Sequence, residues 1–398
     1  MQRALPVFLL AFASPALAQT QEVSPAGTLP LTLVNAATQS EARTVASDVT
    51  LTEQVVTGVL ASPWSVAVLP DSAGYVVTER GGTLRHVTRD GTVGPEIAGV
   101  PNVRALRQGG LLDIALAPDF AESRVIYLSY AAPDGLAGSA TALARAVLSD
   151  DHTALDEVTE LWRQTPASAI PAHFGSRIIA FEDGRVLVTT GDRFTPENRQ
   201  LAQDPINATY GVTIMIGADG APEAPAVEGA LPGVLSYGHR NIQGAALHPE
   251  TGAIWMLEHG PAGGDELNII TPGANYGWPE VSYGVNYNGT DVGTGEQIHA
   301  PAFVEPIYFW DPSIAPSDMV FYQGDMFADW EGSILLGALA GQSLVRLELE
   351  GDNVIGEERL REGEGRVRDV AVDEDGAILV LIDDDPGALI RLTPEGAD

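Results

Sequence analysis

"HFGSRIIAFEDGRVLVTTGDR", residues 173–193, reads as two short strands joined through an Asp183-Gly184 turn. Runs of Val, Ile and Leu bounded by Asp and Gly are strand signals, and Asp-Gly is a preferred two-residue hairpin loop. The pattern recurs in "WSVAVLPDSAGYVVTER", "LLDIALAPDFAESRVIYLSY", "QGAALHPETGAIWMLEHG", "DMVFYQGDMFADWEGSILLGAL" and "VRDVAVDEDGAILVLIDD". Six repeats therefore start near residues 64, 111, 176, 243, 318 and 367. Their spacing suits one four-stranded sheet per repeat, with insertions between. Six such sheets arranged radially make an all-β, six-bladed β-propeller, which leaves few exposed strand edges. A stack of β-sandwich domains is the competing arrangement and explains the shared motif order less well. The last strand lies within "GALIRLTPEG", and "VTLTEQVVTGVL" from Val49 is expected to complete its sheet and close the ring.

This places the propeller at residues 49–398, behind two segments of other character. Residues 1–18 carry Arg3, an apolar run and the small-residue ending Ala16-Leu17-Ala18, the pattern of a secretory signal peptide. Residues 19–48, rich in Ala, Thr, Ser and Pro, read as an arm or linker. The expected location is the periplasm or the exterior, with no membrane insertion after signal cleavage. The chain of 398 residues has no cysteine, so disulfides and thiolate chemistry are excluded. Its net charge of −33 argues against nucleic acid as a partner.

Counting outward from the Asp183-Gly184 turn puts His173 and Asp192 within a residue or two of each other across the two strands, with both side chains on one face of the hairpin. An imidazole oriented by a carboxylate is what a general base requires, and the same pair also serves to tie off a strand end. Arg177 and Arg193 are alternative partners for Asp192. "SYGHRNIQG" places His239, Arg240 and Asn241 at the comparable position of the fourth repeat, and "RQGGLLD" places Gln108 before the second. In "GRVRD", Arg366 and Arg368 alternate along a strand and could clamp a carboxylated ligand, or be solvated charges. "EHGPAGGDELN" offers carbonyls at Gly260 and Pro261 beside Glu258, Asp265 and Glu266, oxygen ligands of the kind Ca²⁺ prefers. In a propeller the residues before each inner strand crowd one mouth of the central channel, so these signals converge there. His86, His152, His248 and His299 fall in turns or loops and carry no expected role.

In order, "RQGGLLDIAL", "HFGSRI", "GDR", "SYGHRNIQG", "EHGPAGGDELN", "NYGWPEVSYG", "WDPSIAPS", "LLGALAGQSLVRL" and "RVRDV" resemble the soluble PQQ-dependent sugar dehydrogenases. The branch resembled is the aldose sugar dehydrogenases of the glucose/sorbosone dehydrogenase family, from about residue 55 onward. The resemblance implies pyrroloquinoline quinone (PQQ) and Ca²⁺ as cofactors, an aldose as substrate, a lactone as product and an unidentified electron acceptor. It implies His173 as the base, Asp192 as its support and Arg240 as the charge stabiliser against the quinone oxygens. It assigns Gln108, Asn241, Tyr287, Ala315, Pro316 and Ser317 to the cofactor lining, and Arg366 and Arg368 to its carboxylates. Gly260 and Pro261 correspond to a cofactor-bridging Ca²⁺, Glu266 and the Tyr276 carbonyl to a second one, and Trp310 to an apolar platform for the sugar. The sequence departs from the family at Ala340-Gly341-Gln342 and Val212, where a lysine is common, and at Ile242 and Ala262. Lost positive charge there favours a competing reading, a non-catalytic propeller binding a glycan or protein; a Ca²⁺-dependent lactonase, another chemistry of six-bladed propellers, is the second.

Overall fold

The computed structural model describes residues 43–396; the signal segment and most of the arm lie outside the described residues. Six antiparallel sheets form a ring, one per sequence repeat. Their innermost strands are Pro63–Leu69, Leu111–Leu116, Gly175–Ala180, Ile242–Leu247, Pro316–Phe321 and Val367–Val372, here blades 1 to 6. Ring closure follows the expectation, because Leu51–Leu60 pairs antiparallel with Gly387–Pro394 as the outer strand of blade 6. The arm also contributes: Arg43–Thr44 pairs in parallel with Asn353–Leu360 at the edge of blade 5. Ser47 anchors this segment through its N–H and hydroxyl, both donated to Glu358 Oε1.

Strand alternation builds the core. Every blade packs both faces against neighbours, so its strands read as unbroken apolar runs and divide their side chains between two interfaces. In blade 6, Ile378 and Val380 pack toward blade 5, whereas Leu379 and Leu381 pack toward blade 1. In blade 3, Val186 and Val188 face blade 2 and Leu187 faces blade 4. Each of the six interfaces holds its own buried cluster, which replaces the cross-links a cysteine-free chain lacks.

On the axis, one position in each inner strand points inward: Ser65, Asp113, Arg177, Gly244, Asp318 and Asp369. Arg177 donates from Nη1 to Asp113 Oδ1 at 2.8 Å and Asp369 Oδ1 at 2.9 Å, and its Nε lies 3.1 Å from Asp318 Oδ1. Asp113 further accepts the Ile178 N–H of blade 3, and Asp369 the Val66 N–H of blade 1, each at 2.7 Å. Glycine suits blade 4 here, since a Cβ on Gly244 would approach the Asp318 backbone to 3.2 Å. Burial pushes the Asp318 carboxyl well above the usual range, and Asp113 up to about 6. This knot of one arginine and three carboxylates fills the centre of the ring.

Candidate active site

The blade 3 hairpin pairs Gly175 with Thr190, so His173 and Asp192, each two residues further out, meet beyond the strand ends. His173 Nδ1 lies 2.6 Å from Asp192 Oδ1, with both residues buried. Gly191 permits the close turn, because a Cβ there would stand 2.3 Å from the His173 carbonyl oxygen. Asp192 also accepts the Phe194 N–H at 2.7 Å and the Trp278 indole N–H at 2.8 Å. Arg177 is spent on the axis, and Arg193 donates to Gln164 and Ser139, so neither takes Asp192 from His173. Burial lowers the His173 pKa, aided by Arg240 and opposed by Asp192. Burial works against ionised Asp192, but His173, Arg240 and the hydrogen bonds hold its carboxyl below the usual carboxylate range. The pair therefore rests as neutral imidazole and carboxylate, with Nδ1–H donated to Asp192 and the Nε2 lone pair available.

Arg240 stands beside this pair. Its backbone N–H donates to Glu258 at 2.7 Å, and its guanidinium donates to the His259 carbonyl at 2.9 Å and the Tyr287 hydroxyl at 3.1 Å. It packs over the Trp278 ring at 5.3 Å. Although buried, the guanidinium has no carboxylate within ion-pair distance among the described residues. A buried cation held only by neutral acceptors is prepared for an incoming anionic oxygen.

A cavity of about 220 Å³ opens at the mouth, lined by Gln108, Asn241, Ala315, Arg366 and Arg368 of the expected set. His173 borders it: its backbone N–H donates to Gln108 Oε1 at 2.7 Å, and Phe174 and Gly175 form part of the wall. Arg366 and Arg368 share Asp383 at 3.1 and 3.5 Å. Burial lowers the Arg368 pKa to about 10, and its Nε finds no acceptor. Arg80 lines the same cavity, so three guanidiniums face one carboxylate. Trp64 supplies a flat apolar wall, with Arg368 stacked 5.5 Å from its centroid. The excess positive charge, the orphaned guanidinium nitrogen and the flat wall fit a planar polycarboxylate such as PQQ.

Among the described residues, no cluster of three or more His, Cys, Asp and Glu is arranged to hold a metal ion. The acidic loop nevertheless has an electrostatic imbalance. Gly260, Glu266 and Tyr276 line a small pocket with Glu258 and His299. Burial and the neighbouring Glu258 charge push Glu266 well above the usual carboxylate range. His299 Nε2, 3.5 Å from Glu266, and Asn268 Oδ1 are buried without hydrogen-bond partners. Oxygen donors and unbalanced negative charge fit a hard cation there. Asp265 is not such a donor, since its Oδ2 already accepts Ser313 Oγ and the N–H groups of Ile314 and Ala315.

Four expected residues stand elsewhere. Trp310, read as a platform for the sugar, is buried between blades 4 and 5, and its indole N–H donates to Glu357 at 2.9 Å. Ser317 is fully buried below the cavity and donates to the Val367 carbonyl. Pro316 contributes its carbonyl to His259 Nε2 at 2.8 Å instead of lining the cavity, and Pro261 lines neither cavity. His299 departs from its bland expectation by facing Glu266. Sequence reasoning missed His259, which lines both cavities and is kept neutral, its pKa lowered to about 3 by burial, Arg240 and Arg368. Trp64, Arg80 and Asp383 were missed too. Arg80, His259 and Asp383 each follow the second strand of their blade, and Trp64 is the second residue of its inner strand, the offset of Arg368.

The glucose/sorbosone dehydrogenase family model matches residues 60–391. The aldose sugar dehydrogenase YliI of Escherichia coli K12 is 37% identical over 356 residues, covering 88% of this chain and 94% of that protein. A crystal structure of a glucose dehydrogenase superposes with a TM-score of 0.82 at 42% identity, covering 85% of this chain and 99% of the other. The PQQ-bound aldose sugar dehydrogenase of Streptomyces coelicolor superposes with a TM-score of 0.70 at 27% identity, covering 88% and 100%.

Proposed function

The chain belongs to the glucose/sorbosone dehydrogenase family, and we propose that it oxidises aldoses at the anomeric carbon to lactones with PQQ as the electron acceptor in the site. The observation that carries this reading is the buried His173–Asp192 pair, held neutral and ionised respectively, beside the uncompensated Arg240 guanidinium. PQQ would be held in the mouth cavity and would supply the hydride acceptor for the sugar. His173 Nε2 takes the proton of the sugar's anomeric hydroxyl as hydride leaves C1, so the sugar loses two electrons and two hydrogens and becomes the lactone. Asp192 holds the ring orientation and stabilises the imidazolium that forms. Arg240 stabilises negative charge developing on oxygen beside it. Arg80, Arg366 and Arg368 would hold the cofactor's carboxylates, with Gln108 and Asn241 as polar contacts. Arg80 brings cationic charge that the Ala340-Gly341-Gln342 loop lacks.

Ca²⁺ would be held at the small pocket by the Gly260 carbonyl, with a second ion at Glu266 and the Tyr276 carbonyl, and would supply Lewis acidity near the quinone. The signal-like composition of residues 1–18 supports a periplasmic or extracellular location. Titration of EDTA-treated protein with PQQ and Ca²⁺, followed by addition of an aldose, tests the reading. The expected result is cofactor binding followed by sugar-dependent bleaching of the quinone absorbance. Absence of binding at micromolar cofactor overturns it in favour of the glycan- or protein-binding propeller. Lactone hydrolysis with Ca²⁺ alone overturns it in favour of the lactonase.

A further inference from the structure

Phe194 follows Asp192 by two residues and adopts a φ of +73°, a left-handed conformation unfavourable for a bulky side chain. Its backbone N–H is held by Asp192, so the carboxylate that orients the base also holds this conformation. The ring is 48% exposed and stands edge-on to the His173 imidazole at 5.1 Å. Tyr287, 68% exposed and bonded to Arg240, lies 6.5 Å from it at a 32° tilt. The base and the charge-stabilising arginine are thus each bordered by an aromatic ring open to solvent. Strain and an exposed apolar face at one point, with little packing in return, mark a surface meant for a ligand. A pyranose suits it, since the ring face carries C–H groups and the rim carries hydroxyls that remain hydrated.

We propose that Phe194 is a specificity-determining residue whose ring receives the C–H face of an aldopyranose while the anomeric hydroxyl meets His173 Nε2. Tyr287 borders the same space from the Arg240 side. This rests on the dehydrogenase reading and narrows its substrate to ring-form aldoses over short open-chain ones. Trp310, buried between blades, leaves this role to Phe194.

The test compares Phe194→Leu, which keeps apolar bulk but not the flat face, with Phe194→Tyr, which keeps both. Equilibrium binding of 1,5-anhydroglucitol, a pyranose without an anomeric hydroxyl, gives a readout independent of turnover. PQQ affinity and Tm report on the rest of the site. Phe194→Leu is expected to weaken anhydroglucitol binding and raise KM for an aldopyranose about tenfold, the scale of one lost aromatic contact. PQQ affinity, Tm and the kcat/KM for glyceraldehyde, whose hydrate offers His173 a C1 hydroxyl but no pyranose face, should be unchanged, and Phe194→Tyr should behave as wild type. Unchanged sugar affinity in Phe194→Leu, or an equal loss on glyceraldehyde, overturns the proposal. Wild-type protein that binds anhydroglucitol through Phe194 but oxidises no sugar would leave this inference standing and remove the dehydrogenase reading instead.

Discussion

On the proposed reading His173 and Asp192 would divide the work of one proton transfer, so their substitutions should differ in kind. His173→Ala removes the acceptor and should lower kcat by several orders of magnitude, with PQQ binding, read by quinone absorbance, retained. Asp192→Asn keeps the shape but no longer favours Nδ1–H or the imidazolium, and should cost about 10²–10⁴ in kcat. The pH profile follows from the same electrostatics. Activity needs His173 unprotonated, so kcat/KM is lost as pH falls through the His173 pKa. Burial puts that pKa below the ordinary 6.5, so the free-enzyme acid limb should lie below 6.5 and the profile be flat around neutrality. A limb centred above 6.5 would contradict the assignment. This pair was legible to within a residue, because the turn sets the hairpin's approximate register; a shift between Gly175 and Ile178 then brings Asp192, not Arg193, level with His173. Trp310 was not legible: in a strand of three residues, Tyr308–Trp310, one step of register decides between the core and the mouth.

Blades were the most legible elements, since each repeat contains one apolar strand, one turn and a second apolar strand. The closing strand Leu51–Leu60 followed by subtraction, because the sixth sheet lacked a partner. The parallel pairing of Arg43–Thr44 with blade 5 did not follow, as two residues carry no periodicity and their partner lies more than 300 positions away. Deleting the chain through Leu60 should leave Gly387–Pro394 as an open edge. The expected result is a lower Tm, lost cooperativity in urea and aggregation by light scattering. Deletion through Thr44 alone should cost little, because blade 5 keeps its four other strands.

Across the whole molecule, Arg80, Arg240, Arg366 and Arg368 form a cationic island at the mouth of a chain with net charge −33. A carboxylated cofactor is therefore repelled at long range and attracted only at contact. Its association rate should rise several-fold between about 10 mM and about 150 mM salt, the reverse of ordinary electrostatic steering, because screening removes the repulsion first. The axial knot was present in the sequence as a charged residue at the same offset in four repeats, Asp113, Arg177, Asp318 and Asp369. The sequence does not show that they meet, because one charged residue in an apolar strand carries no sign of the partners that converge on it from other blades. Arg177→Met would strand three carboxylates and should cost about 3–5 kcal/mol in urea denaturation. The knot also separates the mouth cavity from a recess of about 470 Å³ on the other side, which Arg177 itself lines. With the axis shut, the mouth cavity is the doorway that, on the proposed reading, the sugar, the departing lactone and the electron acceptor would share. Visitors sharing one mouth would take turns: initial rates should give parallel double-reciprocal lines, and excess sugar should inhibit by blocking the oxidant's turn.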